Sequence, residues 1–96
     1  MKNKDGKGRL YPDHPRVGVG IVLVHGNKVL LVKRGHEPAK GQWSVPGGLI
    51  RVGESVQSAA ARELREECGV TAVFYRAIDI FEFIETDESK DTKYHY

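Results

Sequence analysis

One cysteine, Cys68, is all the chain has, so no disulfide can close within it, and a reducing compartment is expected. Long apolar runs are also missing: none approaches the roughly 20 residues that span a bilayer, so no membrane partner is expected. Charge of one sign is not in excess either. Fifteen basic and 13 acidic side chains leave a net charge of +2, too little to point to nucleic acid or a lipid surface. The opening residues are polar and lysine-rich with no apolar stretch behind them, unlike a secretory signal. These absences leave a cytoplasmic location as the expectation. At 96 residues there is room for one domain, whose stability is marginal because a chain of this size buries only a little over ~60% of its unfolded surface.

Residues 1–16 contain Gly6, Gly8, Pro12 and Pro15 and almost nothing apolar, which predicts a flexible N-terminal arm. A single domain is expected over residues 17–96. Val17 to Val24 and Lys28 to Lys33 read as two strands joined by His25-Gly26-Asn27, a hairpin signal. Their apolar residues are nearly continuous, which predicts cover on both faces. Trp43 to Val45 is a short strand stopped by Pro46 and the pair Gly47-Gly48. Ser55 is a natural N-cap for a helix over Val56 to Cys68, and Gly69 stands where a left-handed cap is needed. Thr71 to Ile84 is rich in β-branched and aromatic residues and should form one long strand, or two with a bulge. Thr86 to Asp91 is a polar turn, and Thr92 to Tyr96 opens another strand with no apolar partner after it. That ending predicts a truncated C-terminus, or a second chain that completes the sheet.

Glu63, Glu66 and Glu67 are separated by three, four and one positions. On a helix, residues three and four apart are neighbours on one face, so three carboxylates share a stripe. Like charges there oppose folding, and a compensating cation is expected; Arg62, four positions before Glu66, can supply one. Hard divalent cations take oxygen ligands, commonly one or two carboxylates with waters and substrate phosphates. Taken alone, glutamates on a helix are more often a solvated face, and Gly47-Gly48 can be a simple turn.

The whole segment is more specific. Gly48, five residues, Glu54, seven residues, then Arg62-Glu63-Leu64-Arg65-Glu66-Glu67-Cys68-Gly69-Val70 resembles the Nudix signature at every fixed position. Seven specified residues, each at about 6–7% usage, would match by chance roughly once in a hundred million starts. The resemblance implies a Nudix-type α/β/α sandwich with a mixed β-sheet and a loop–helix–loop catalytic motif. It also implies metal-binding roles for Glu63, Glu66 and Glu67, with the carbonyl of Gly47 as a backbone ligand, for Mg²⁺ or Mn²⁺. Glu54 and Arg62 resemble the ion pair that holds loop to helix, and Arg62 can also orient Glu66. Glu63 is the candidate general base within the box, and Leu64 and Val70 should be core. Cys68, among acidic neighbours, is not expected to be a nucleophile.

The activity implied is hydrolysis of a diphosphate bond in a nucleoside diphosphate linked to another moiety. Water attacks one phosphorus, and metal ions polarise the phosphoryl oxygens. The stretch Arg34 to Gly48 is similar to Nudix members of the ADP-ribose pyrophosphatase group, which makes ADP-ribose the leading substrate. Arg34 either contacts a phosphate or is a solvated strand end, and Trp43 either lines the pocket or packs beneath the loop. Two other readings remain: a pyrophosphohydrolase that sanitises nucleoside triphosphates, and a non-catalytic nucleotide-binding remnant. A small-molecule nucleotide is the expected partner, with a homodimer through an unpaired C-terminal strand edge as a further possibility.

Overall fold

The computed structural model describes residues 9–73 and 76–96. These fall into two compact units, one within Gly18–Tyr75 and the other drawn from Met1–Val17 and Arg76–Tyr96. The start of the expected arm, residues 1–8, lies outside the described residues.

In the first unit, β1 (Gly18–Gly20), β2 (Val24–His25), β3 (Lys28–Val29), β4 (Val32–Lys33), β5 (Trp43–Ser44) and β6 (Gly47–Leu49) precede one helix, α1 (Val56–Cys68). The β2–β3 hairpin turns through Gly26-Asn27, with Val24 opposite Val29 and His25 opposite Lys28. Gly26 takes φ 64° there, a left-handed conformation that glycine adopts without steric cost. β4 pairs with β5 and β1 with β6. Every described ladder is antiparallel. A parallel strand pair and a second helical layer, parts of the expected mixed-sheet sandwich, are not among the described residues.

Gly47-Gly48 was expected to stop a strand, yet it forms one. β6 lies so close to β1 that a Cβ on Gly47 would overlap the carbonyl of Val19. Glycine serves here for close backbone approach, which a local reading of the pair as a turn does not show. α1 packs on β6 and β1, and the core gathers there: Ile21, Leu49, Ala59, Ala60 and Leu64 are buried. The alanines, with nothing beyond Cβ, let the helix settle on the glycine-rich ladder. The apolar runs of β2 to β4 are not covered on both faces as expected, because Val22, Val24, Val29 and Leu31 are exposed. Among the described elements, α1 rests on β1 and β6 only.

In the second unit, β7 (Ile84–Thr86) and β8 (Thr92–His95) form an antiparallel pair with an irregularity after Glu85. The long strand expected over Thr71 to Ile84 does not form among its described residues, apart from its end. Among its described residues the ladder begins only at Phe83, which exchanges both backbone hydrogen bonds with Tyr96, and Phe74 and Tyr75 lie outside the described residues. A strand exists only where a partner takes its N–H and C=O groups, and β8 with Tyr96 is just long enough for Phe83 to Thr86. Asp87 organises the connecting turn: Oδ1 accepts the N–H groups of Ser89 and Asp91, and Oδ2 accepts the Tyr11 hydroxyl at 2.7 Å. That hydroxyl bond holds the Asp87 carboxyl below the usual carboxylate range and raises the Tyr11 phenol.

The C-terminal strand is not the unpaired edge expected. Tyr96 bonds toward Phe83, so by antiparallel alternation Lys93 and His95 present their backbone groups to the opposite side. There the N–H of Tyr11 donates to Lys93 and that of Arg16 to His95, both at 2.9 Å. On that side of β8 the carbonyls of Lys93 and His95 are therefore taken from within the chain. No helix among the described residues is long and apolar enough to cross a membrane.

Leu64, at 0% exposure, is the largest fully buried side chain of α1. Leu64→Ala should lower unfolding free energy by about 2–5 kcal/mol, read from urea denaturation. Retention of the full midpoint would show that the helix is not anchored there.

Candidate active site

The box helix is set by local signals. Ser55, in extended conformation, caps it by accepting the N–H of Ser58 at 3.1 Å, which satisfies one of the free donors of the first turn. Gly69 closes it in the left-handed region, φ 67°, and its N–H returns to the carbonyl of Arg65. Between these caps, Ala59, Ala60 and Leu64 face the ladder, while Glu66 and Glu67 are exposed and Glu63 is half-buried.

Arg62 connects the parts. Nε and Nη2 form a fork on the carboxylate of Glu54 at 2.6 and 2.9 Å. Nη2 also donates to the carbonyl of Leu49 at 3.0 Å. Nη1 donates to Glu63 at 2.5 Å and to Glu66 at 3.3 Å. All five guanidinium donors are thus used by a residue only 9% exposed. These partners push the Arg62 pKa further up. Glu54 is drawn down to about 2, first by Arg62 and then by the N–H of Arg51.

The carboxylates divide between two anchors. Glu63 and Glu66 share Nη1 of Arg62, and the Glu63 carboxylate lies against Gly48, where a Cβ would overlap it. Glu67 accepts the N–H of Gly47 at 2.8 Å through Oε1. Two glutamates from the helix therefore meet the glycine pair, with Glu66 beside them. Among the described residues, no group of three His, Cys, Asp or Glu side chains is arranged to hold a metal ion. The chemistry of the donors nevertheless fits a hard cation: all are carboxylate oxygens, and Glu66 and Glu67 are solvent-exposed.

The two remaining sequence candidates lie elsewhere in this unit. Arg34 donates from Nε to the carbonyl of Pro38 at 2.6 Å, tying the loop between β4 and β5. Trp43 stands on β5, 67% exposed, and does not pack beneath the loop. Sequence reasoning missed the Leu49 carbonyl and the Arg51 N–H as members of the Arg62–Glu54 network; both are backbone groups, which leave no trace in residue identity. Burial, and then the nearby Glu67, raise the Cys68 thiol, which keeps it protonated and unsuited to nucleophilic attack.

The Glu54 shift carries a pH dependence. Its folded pKa, about 2, lies below the ordinary value of 4.5, so its stabilising effect is present above pH 4.5 and is lost as pH falls toward 2. Glu54→Gln should melt at a lower temperature than wild type at pH 7, and the gap should close across that window. Melting curves followed by circular dichroism would check this, and a gap independent of pH would contradict the ion-pair account.

Residues 14–96 match the NUDIX domain family. The chain is 45% identical over 71 residues to an ADP-ribose pyrophosphatase of Methanocaldococcus jannaschii, covering 73% of this chain and 41% of that protein. It is 40% identical over 62 residues to a putative 8-oxo-dGTP diphosphatase of Bacillus subtilis, covering 65% and 40%. Among solved structures, a MutT NUDIX hydrolase from Burkholderia pseudomallei superimposes with TM-score 0.63 at 33% identity, over 83% of this chain and 61% of that one. The chain thus spans about two fifths of the length of these two curated relatives. With the box glutamates, Arg62 and the glycine ladder in place and this match along the sequence, the chain belongs to the Nudix family and has its α/β fold.

Proposed function

We propose that the chain carries the catalytic part of a metal-dependent hydrolase that cleaves the diphosphate bond of a nucleoside diphosphate linked to another group, with ADP-ribose as leading substrate. The observation that carries this reading is the meeting of Glu63 and Glu67 with Gly48 and Gly47, with exposed Glu66 alongside. Glycine at position 48 lets the Glu63 carboxylate lie directly on the backbone, which brings it into the acidic cluster. The similarity to the Methanocaldococcus ADP-ribose pyrophosphatase supports the substrate.

Glu66 and Glu67, with the carbonyl of Gly47, would hold Mg²⁺ or Mn²⁺, which when bound polarises phosphoryl oxygens and acidifies water, and this leaves Glu63 beside them to take a proton. Arg62 fixes Glu63 and Glu66 from behind and, through Glu54, ties the loop to the helix. Glu63 is the general base. The Glu63 oxygen not bonded to Arg62 accepts the proton as water attacks one phosphorus. The phosphorus–oxygen bond to the other phosphate then breaks, and that group leaves with the electron pair.

Phosphate release, coupled to phosphatase, should appear with ADP-ribose and Mg²⁺ or Mn²⁺ and vanish with chelator. Glu66→Gln should lower the rate by more than about a hundredfold. A panel with 8-oxo-dGTP and other nucleoside triphosphates separates the sanitising alternative. Nucleotide binding without turnover of any substrate by the folded chain would leave the non-catalytic reading.

A further inference from the structure

The ladder of β4 and β5 sets Trp43 directly opposite Lys33. Directly opposed residues of an antiparallel pair point to the same face, with Cβ atoms about 4.5–5.5 Å apart. Both side chains are exposed. An indole with a free π-face and an ammonium beside it complement a molecule that is aromatic at one end and anionic next to it. Arg34, the neighbour of Lys33 along the strand, points to the other face by the two-residue alternation and is bonded to Pro38. The cation that shares the face of Trp43 is Lys33.

Position gives the second argument. Gly47, whose N–H meets Glu67, is four positions along the chain from Trp43. Even fully extended, four residues span at most about 14 Å. Trp43 thus stands within one short segment of the glycine pair, on a chain that runs from the aromatic wall into the carboxylate site.

We propose that Trp43 and Lys33 form the nucleotide-reading wall of the site: the base stacks on the indole, and Lys33 faces the phosphate attached to its ribose. This deepens, and rests on, the reading of the carboxylates as a diphosphate hydrolase. It selects substrates with an aromatic base joined to the diphosphate over substrates that offer the diphosphate alone.

Trp43 is the only tryptophan of the chain, so its emission reports on this wall directly. In metal-free buffer, AMP should quench that emission saturably, adenosine should do so more weakly, and ribose 5-phosphate should not. Trp43→Ala, followed by calorimetry, should weaken AMP binding by between about fivefold and a hundredfold, and Trp43→Phe should restore most of it. Lys33→Ala should erase the advantage of AMP over adenosine. The proposal is overturned if AMP binds with no change in Trp43 emission, if Trp43→Ala binds AMP as tightly as wild type, or if AMP does not bind. Hydrolysis measured on the same preparation keeps the two readings apart. Quenching without turnover supports the wall and counts against the hydrolase; turnover with silent tryptophan does the reverse.

Discussion

The near-buried guanidinium of Arg62 is the constraint on which the site depends. A charge in that position is costly unless paired and fully hydrogen-bonded, and each of its donors has an acceptor. Two of those acceptors precede the helix: the Leu49 carbonyl at the end of β6, and Glu54 in the loop that follows. The other two, Glu63 and Glu66, belong to the helix itself. One side chain therefore fixes the loop to α1 and sets the direction of two carboxylates. Substituting it would leave Glu54, at 15% side-chain exposure, without its counter-charge.

This network requires the helix and the ladder to be close, which explains the small residues on both sides. Ala59 and Ala60 face the ladder, while Gly47 lies under the Val19 carbonyl and Gly48 under the Glu63 carboxylate. A side chain at either glycine would displace a backbone group or the Glu63 carboxylate. Packing and electrostatics are thus one requirement here: Glu63 reaches Gly48 only because nothing beyond hydrogen stands between them.

Features encoded within one turn of chain were legible in the sequence. Ser55 and Gly69 bound the helix where their cap preferences place them, and the Gly26-Asn27 turn sits between two strands. The spacing of Glu63, Glu66 and Glu67 was legible for the same reason, since helical periodicity alone makes them neighbours. Features that depend on a distant partner were not. Gly47-Gly48 reads as a stop and becomes a strand because β1 is there to pair with it. The stretch before Ile84 has strand propensity throughout, yet among the described residues only its end meets β8. Tyr11 and Arg16 occupy the second edge of β8, a pairing across some eighty residues that no local pattern marks.

The distances within the network also rank its members. Glu54 is held by a two-pronged fork, and its depressed pKa reflects that hold. Glu66 has the longest contact with Arg62, 3.3 Å, and half its side chain is in solvent. An exposed contact of that length contributes little to stability, so Glu66 is the carboxylate that folding constrains least. Glu67 sits between these extremes, with one oxygen on Gly47 and the side chain exposed. Folding therefore spends the arginine on the loop and leaves Glu66 and Glu67 accessible, the arrangement a site needs if its acidic groups are to meet a ligand and not only one another.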